Sequence, residues 1–335
     1  MVTTTTTTMD YLVSLIHKKK NKRRKTGKHN NASKRSQHKK KRMTMKAGKI
    51  TRKMNCSPAV KGKTALENTC FTVSALNTIK DEYNKDHPDN KITTTDPATV
   101  WQELNQRLTK CSTEDCWLES IDNKSLRAKI DNYIFAPDAP KEWSKNPNEW
   151  LSNYDIKGVL EQYKQTYSDF DYIDPAPIDF DKVINGGCVV EQLCKFDLAK
   201  YRKAGETKIG MVFNLDKHDE PGSHWVSLYL DLVDRLVFYF DSTGAEIPRE
   251  IKVLKDRIIA QGKKNGVEIK YYDSKNNEHQ KSNTECGMYS LYFIITMITG
   301  DDGEKKVGLK DRLDLFMKKK INDGFVEKYR KIYFN

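Results

Sequence analysis

A cysteine directly before a long apolar run is the residue best suited to chemistry in this chain. Cys286 and Gly287 precede the run Met288–Met297, which predicts a helix that begins at the cysteine. The first turn of a helix has unpaired backbone N–H groups and carries the positive end of the helix dipole, so a thiol there is favoured as thiolate. The sequence therefore predicts a thiol nucleophile at Cys286.

A thiol nucleophile needs a base within hydrogen-bond reach, and the base needs a group that orients it. Between His224 and Asp241, two β-rich runs flank the polar connector Asp231–Arg235, which predicts a hairpin. A register that pairs His224 with Asp241 centres the hairpin inside this connector, and cross-strand neighbours have Cβ atoms about 4.5 to 5.5 Å apart. The spacing thus predicts a site made of Cys286, His224 and Asp241.

Several residues in and around this site resemble those of a known family. The matching residues are His224, Trp225, Asp241, Gln280, Cys286 and Gly287. Their types and order are similar to those of the Ulp1-like and adenain-like cysteine peptidases, which cleave SUMO-type modifiers or viral polyproteins. The resemblance implies that Gln280 donates a hydrogen bond to the oxyanion. It also implies that Trp225 and Trp150 narrow the channel for the substrate residues before the cut.

The resemblance extends over roughly Asn146 to Gly300. Trp150-Leu151 precedes a helical pattern and is similar to the segment that opens the Ulp1 catalytic domain. Glu285 departs from the family, in which many members have aspartate, and we expect little consequence because the position stays acidic. Residues 54–145 resemble amino-terminal regions of related peptidases from large DNA viruses, such as African swine fever virus and giant viruses.

The remaining pattern predicts an α+β fold. Ile209–Leu215 and Val267–Tyr272 are typical of strands, and Ile251–Ile259 has helical spacing. With the hairpin, these runs form a small mixed sheet flanked by helices, and the resemblance likewise implies a papain-like or adenain-like core. Leu309–Phe316 and Phe325–Phe334 predict two C-terminal helices.

Charge divides the chain into a tail and a folded body. All 18 lysines and arginines of residues 1–53 lie between Lys18 and Lys53, against one acid, Asp10, so this part carries +17; the total is +13, which leaves −4 for residues 54–335. A basic segment with few apolar side chains cannot bury enough surface to offset its chain entropy. We predict a disordered basic tail (1–53), a helical accessory module (54–145) and a catalytic domain (146–335).

The basic tail could bind nucleic acid by neutralising phosphates, or act as a nuclear import signal; the alternative is a solvated linker. The apolar patch Tyr11–Ile16 is far shorter than the roughly 18 residues that a membrane span needs, and no basic segment precedes it. We therefore expect neither a secretory signal nor a membrane span. With the resemblance to viral enzymes, we expect the protein in the virion and the host cytoplasm, or in the nucleus if the tail directs import.

The cysteines favour a reducing compartment. Seven is an odd number, the chain is too large for a disulfide scaffold, and no signal peptide is visible, so we expect mostly free thiols. The spacings of Cys111 with Cys116 and of Cys188 with Cys194 raise the question of zinc, but neither pair has a two-residue gap or a nearby histidine. Buried structural thiols are the expectation, and no metal site is predicted.

Two other histidines compete with His224 for the role of base. His218 lies in a predicted turn and His279 in a polar stretch before Gln280, so both are expected at the surface. His279 is the stronger rival because it lies close to Cys286 in sequence. A base normally lies on a rigid strand, however, which favours His224.

These residues together predict a cysteine endopeptidase that needs no metal or organic cofactor. His224, oriented by Asp241, takes the thiol proton, and Cys286 attacks the scissile carbonyl. Gln280 and the backbone N–H of Cys286 stabilise the oxyanion. The resemblance implies protein substrates cut after Gly-Gly-type pairs, as in the processing of viral structural polyproteins during virion maturation.

Two other functions and one further reaction fit parts of the sequence. An isopeptidase specific for SUMO or another ubiquitin-like modifier would use the same residues and bind a folded modifier. A basic nucleic-acid-binding virion protein without catalysis would rest on the tail alone, and it would leave the spacing of the site residues unexplained. Gly186-Gly187 is a candidate self-cleavage site, although Asn185-Gly186 is more typical of a turn.

Overall fold

The computed structural model describes residues 53–335, which form two compact units. Of the described residues, the first contains 53–56 together with Val60–Phe135, and the second contains Ser57–Ala59 and Ala136–Asn335. The predicted basic tail lies outside the described residues, except for Lys53.

The second unit begins earlier than the predicted boundary between residues 145 and 146. The N–H of Ala139 donates to the carbonyl of Asn335 at 3.0 Å. Trp143 packs edge-on against Phe334, with ring centroids 5.2 Å apart. Residues 136–145 therefore pack with the C-terminal end of the chain, a contact between distant segments that local patterns do not reveal.

The first unit is helical. Its α-helices are α1 (Val73–Asp86), α2 (Pro97–Arg107) and α3 (Lys124–Ile134). Each begins after a side chain that caps a backbone N–H, as the sequence pattern of an N-cap residue favours. Phe71 stacks on Trp117 and meets Phe135 edge-on, so an aromatic cluster forms part of the core.

The second unit contains a five-stranded mixed sheet, a two-stranded hairpin and eight further α-helices. The sheet strands are β1 (Phe170–Pro177), β4 (Lys208–Asn214), β5 (Trp225–Asp231), β6 (Leu236–Phe240) and β7 (Lys270–Asp273), and the hairpin strands are β2 (Val183–Ile184) and β3 (Gly187–Cys188). The helices are α4 (Asn153–Thr166), α5 (Glu191–Cys194), α6 (Leu198–Ala204), α7 (Arg249–Lys264), α8 (Cys286–Thr299), α9 (Leu309–Met317), α10 (Asp323–Val326) and α11 (Arg330–Tyr333).

The strand order is β1-β4-β5-β6-β7, in which the outer pairs β1/β4 and β6/β7 are parallel and the inner pairs are antiparallel. Helices α4 and α8 share one core cluster with one face of the sheet, and helices α6 and α7 share another with the opposite face. All residues of β5 and β6 are buried, as expected for strands covered on both faces. The predicted α+β class with a mixed sheet is confirmed.

Helix α8 is the centre of one of these layers. Residues 286–298 are all buried, which explains an apolar run without the polar stripe of a surface helix. Because the helix is packed on every side, its first residue, Cys286, has little freedom to move.

Strands β1, β2 and β3 and helices α5 and α6 are not predicted from the sequence, and one predicted C-terminal helix differs in the structure. Strand β1 is not predicted because Asp174, Pro175 and Pro177 interrupt the apolar pattern; it lies at the edge of the sheet, where proline is tolerated, and its register shifts between Ile173 and Ala176. The predicted helix Phe325–Phe334 is broken into short helical pieces. The other predicted strands and helices are present with shifted ends.

The expectation of mostly free thiols is wrong. Three disulfides join cysteines near one another in sequence, namely Cys56–Cys70, Cys111–Cys116 and Cys188–Cys194. Their Cα atoms are 5.1, 5.5 and 6.3 Å apart, within the range that a disulfide spans. Of the seven cysteines, all of which lie in the described part of the chain, Cys286 alone is free.

The Asn185-Gly186 pair forms the two-residue turn between β2 and β3, as predicted. Both residues have positive φ angles, 50° and 86°, which asparagine and glycine tolerate best. Within residues 53–335, no helix has the length and apolar character needed to cross a membrane.

Candidate active site

The structure brings His224 and Asp241 into contact. Nε2 of His224 lies 2.8 Å from Oδ1 of Asp241, at the ends of two neighbouring strands. The predicted register, however, is wrong. Ser227 pairs with Phe240, so Asp241 falls opposite Val226 and not opposite His224.

The position of the turn explains why the register differs, and the pleat of the sheet explains why His224 and Asp241 still meet. Asp231 pairs with Leu236, and its carboxylate accepts the N–H groups of Val233 and Asp234, so the turn is centred between Val233 and Asp234, one residue later than the predicted register requires. Residues two positions apart point to the same face of a sheet, and diagonal neighbours remain within reach of long side chains. His224 therefore reaches Asp241 diagonally.

His224 and Asp241 each stabilise the charged form of the other. Burial opposes the charged form of His224, but hydrogen bonds to Asp241 and to Cys286 outweigh it and raise the pKa of His224 to about 9. Burial likewise opposes ionisation of Asp241, yet the interaction with His224 keeps the pKa of Asp241 below its usual value. At neutral pH the histidine is thus an imidazolium between a carboxylate and a sulfur atom.

Asp241 also organises the turn that follows it. Its Oδ1 accepts the N–H of Thr243 at 2.8 Å and the hydroxyl of Thr243 at 2.9 Å. The hydroxyl of Ser274 lies 3.0 Å from both the N–H and the carbonyl oxygen of Asp241. The carboxylate therefore both caps the turn and contacts the histidine, and its position is fixed from two sides.

Cys286 is the first residue of α8, as predicted, and it is 2% exposed. Gly287 follows because Leu151 packs there: a Cβ atom on Gly287 would lie 3.1 Å from the Cβ of Leu151. Ser152 and Asp155 form a capping box that starts α4 directly after this leucine. The start of α8 is thus packed against the segment that contains Trp150.

Ser242 is a residue of the site that sequence reasoning missed. Its hydroxyl donates to Oε1 of Gln280 at 2.7 Å, while its carbonyl accepts the N–H groups of His279 and Gln280. Nε2 of Gln280 in turn donates to the carbonyl of Ser282 at 2.7 Å. These bonds fix which end of the amide is the donor. The only available signal was the position of Ser242 next to Asp241.

The family resemblance implies that Gln280 is a side-chain oxyanion donor, and on that expectation Gln280→Ala should lower kcat about 100- to 1,000-fold. KM should change little, because the interaction forms in the transition state. Steady-state kinetics on a peptide substrate measure both constants. Ser242→Ala is the matched variant: it keeps the amide but frees it to rotate, so a smaller loss of kcat is expected. Wild-type kcat in Gln280→Ala would exclude this role.

Trp150 and Trp225 line one cleft of about 610 Å³ in the second unit. The indole N–H of Trp225 donates to the carbonyl of Leu151 at 3.0 Å, which ties the two tryptophan segments together. The wall also includes Pro175, Val189 and Val190 on one side and the turn Lys217–Gly222 before His224 on the other. His224, Asp241, Gln280 and Cys286 do not line this cleft, which is linked to them through Trp225, the residue after His224, and through Leu151, which packs against Gly287.

The two rival histidines differ in environment. His218 is exposed, as predicted, and its Nδ1 lies 2.8 Å from Asp179. The surface prediction for His279 is wrong: it is buried, its Nε2 donates to the carbonyl of Phe316 at 3.0 Å and its Nδ1 accepts the N–H of Ile321 at 3.2 Å. Burial lowers the pKa of His279. Both ring nitrogens are engaged in joining α9 to the loop that contains Gln280.

Comparison with known proteins points to a family of cysteine proteases. The model of the C-terminal catalytic domain of the Ulp1 protease family matches residues 208–330. A protein of Acanthamoeba polyphaga mimivirus named as a thiol protease is 29% identical over 252 residues, which cover 70% of this chain and 82% of that protein. A cysteine protease of African swine fever virus is 27% identical over 165 residues, which cover 45% of this chain and 58% of that protein.

The fold is also similar to a solved structure. The crystal structure of the African swine fever virus protease matches with a TM-score of 0.59 at 20% sequence identity, covering 85% of this chain and 96% of that one. The likeness therefore extends beyond the region that the family model matches and shows a shared fold.

Proposed function

We propose that the chain, which contains a Ulp1-family C48 cysteine peptidase domain at residues 208–330, is an endopeptidase with Cys286 as nucleophile, His224 as base and Asp241 as orienting group. The observation that carries the proposal is the position of His224. Nε2 of His224 lies 2.8 Å from Oδ1 of Asp241, and Cys286, the one free thiol of the described chain, is near enough to help raise the pKa of His224. A nucleophile, a base and an orienting group in this order are the parts that acyl transfer to a thiol requires.

The proposed reaction begins when His224 takes the proton of the Cys286 thiol and becomes an imidazolium. Cys286 Sγ attacks the scissile carbonyl carbon, and the amide of Gln280 and the N–H of Cys286 donate to the oxyanion. His224 then gives its proton to the leaving amine, which departs and leaves the acyl group on sulfur. The neutral imidazole next takes a proton from water, whose oxygen attacks the thioester and frees the second product. No step calls on a metal ion.

The proposed substrates are polypeptides with small residues before the cut, such as Gly-Gly, in viral structural precursor proteins that are processed during virion maturation. Trp150 and Trp225 support this choice, because both bulky indole rings line one cleft, where they would favour small substrate side chains. The named relatives in large DNA viruses support the viral setting.

A second candidate is an isopeptidase that acts on conjugates of a ubiquitin-like modifier. The observation that favours it is the name "SUMO-1 cysteine protease" given to relatives in African swine fever virus isolates, which are 27% identical over 165 residues. The same chemistry would serve, but the enzyme would need a folded modifier for efficient turnover.

The experiment that separates the two compares kcat/KM on a panel of Gly-Gly-Xaa peptides with kcat/KM on a SUMO fusion protein. We expect cleavage of the peptides after the second glycine, and loss of cleavage when that glycine is replaced with valine. Efficient cleavage of the fusion without cleavage of any peptide would select the isopeptidase. Failure to cleave either substrate would contradict the proposed function.

A further inference from the structure

One buried arginine connects the nucleophile with the wall of the cleft. Arg330 is 6% exposed and its partner Glu285 is fully buried. Nε and Nη2 of Arg330 donate to the two carboxylate oxygens of Glu285 at 2.9 and 2.8 Å, a bidentate ion pair. Because Glu285 directly precedes Cys286, this pair holds the backbone at the start of α8.

The same guanidinium donates to four backbone carbonyls. Three of them lie in the segment before Trp150: those of Pro147 at 3.3 Å, Asn148 at 3.4 Å and Glu149 at 2.9 Å. The fourth is that of Thr284, at 3.4 Å. All five N–H donors of the arginine therefore have acceptors, and none is left for water.

The arginine is itself held in place. Its guanidinium lies over the ring of Trp143, with the carbon 4.4 Å from the ring centroid. Phe334, which follows Arg330 later in the chain, packs against the same tryptophan. The side chain therefore acts from a fixed position rather than from a flexible terminus.

We propose that Arg330 is a positioning residue for the reaction, which sets the distance between the Cys286 sulfur and the tryptophan wall of the cleft. The inference rests on the proposed function, in which Cys286 is the nucleophile. Two segments that are far apart in sequence, 147–149 and 284–285, both accept hydrogen bonds from the planar guanidinium of Arg330. The guanidinium thereby fixes both the segment before Trp150, which would hold the substrate, and the backbone next to Cys286, whose sulfur would attack it. Displacement by about 1 Å can cost on the order of 100-fold in rate.

Lysine cannot replace the arginine at this site. An ammonium group has three donors on one atom, whereas the acceptors around Arg330 are spread along a plane and include a bidentate carboxylate. Arg330→Lys therefore keeps the charge that Glu285 needs but loses the contacts to the segment before Trp150.

The test is Arg330→Lys in the full-length chain, with Arg312→Lys as the matched control. Arg312 also donates to a backbone carbonyl and a carboxylate, those of Met297 and Asp234, but it does so at the opposite end of α8. Thermal unfolding and kcat/KM on a peptide are measured for both, well below the unfolding transition. We expect Arg330→Lys to lower kcat and raise KM, with kcat/KM down at least about 10-fold, and Arg312→Lys to stay within about twofold of wild type.

Equal losses of kcat/KM in the two variants at similar losses of thermal stability would overturn the proposal, because the arginine would then be only structural. If Arg330→Lys does not fold, Glu285→Gln decides: it keeps the carbonyl contacts and weakens only the side next to the nucleophile, so kcat should fall while KM stays near the wild-type value. Wild-type kcat in Glu285→Gln would also overturn the proposal. Failure of the proposed function is distinct, because wild type itself would then show no Cys286-dependent cleavage.

Discussion

Cys286→Ala is expected to abolish peptide cleavage, with a loss of at least about 10⁴-fold in kcat, while the protein stays folded. The sulfur atom is the group that bonds to the substrate, and no second free thiol in the described chain can replace it. The change removes a single buried atom, so the free energy of unfolding should fall only slightly. Cleavage of a Gly-Gly peptide and thermal unfolding measure the two effects.

The matched control removes two other sulfur atoms. The double variant Cys111→Ala, Cys116→Ala deletes a disulfide of the first unit, which typically costs about 2–5 kcal/mol of stability, but it leaves Cys286 in place. It should retain turnover at a temperature at which it is folded. Under non-reducing conditions iodoacetamide should modify one thiol in wild type and none in Cys286→Ala. Turnover that persists in Cys286→Ala would exclude a thiol mechanism.

Local patterns were sufficient to predict the elements that contain the site residues. An apolar run of helix length predicted α8 and its start at Cys286, and β-rich runs around a polar connector predicted β5 and β6. These signals are strong because the elements are buried on all sides, so that nearly every residue is apolar. The edge strand β1 is covered less completely and contains prolines, which is why its sequence has no strand pattern.

Contacts between distant segments could not be predicted in the same way. Nothing near Arg330 in sequence indicates that it pairs with Glu285, and the burial of His279 depends on α9, which comes later in the chain. Whether cysteines pair depends on where the fold places their Cα atoms, so an argument from the compartment alone failed for Cys188 and Cys194.

The contact between His224 and Asp241 was predicted from residue type and spacing together. The predicted register was wrong, yet His224 and Asp241 still meet, because the error moved Asp241 by two positions along the strand and therefore kept it on the same face. An error of one position would have placed the two side chains on opposite faces. Ser242 was missed because a serine after the aspartate has many structural explanations.

His224→Ala should also abolish cleavage, with a loss of at least about 10⁴-fold in kcat, because the imidazole both activates the sulfur and protonates the leaving amine. His279→Asn serves as the control that tests the rival base. It breaks buried bonds to Phe316 and Ile321, so it should lower the thermal stability but retain measurable turnover. Retained cleavage in His224→Ala, together with loss of cleavage in a folded His279→Asn, would assign the role of base to His279 and not to His224.

Asp241→Asn should leave a trace of activity, lower than wild type by about 10²- to 10⁴-fold, and shift the pH profile in a defined direction. Burial opposes the charged form of His224, but the hydrogen bonds and charges of Asp241 and Cys286 together raise the pKa of His224 to about 9. The imidazolium that protonates the leaving amine is therefore lost in wild type only as the pH rises through about 9. Without the carboxylate the pKa of His224 falls, so the same loss occurs at lower pH.

The profile of kcat/KM against pH measures this shift, because its limbs report groups of the free enzyme. We expect the alkaline limb near pH 9 in wild type and at lower pH in Asp241→Asn. Asp179→Asn is the matched control, since Asp179 contacts the exposed His218 and should leave the limb in place. An alkaline limb that stays at the same pH in Asp241→Asn would mean that the carboxylate does not govern the charge of His224. Asp241 would then act through the Thr243 turn that it caps, and its role in the reaction would be structural alone.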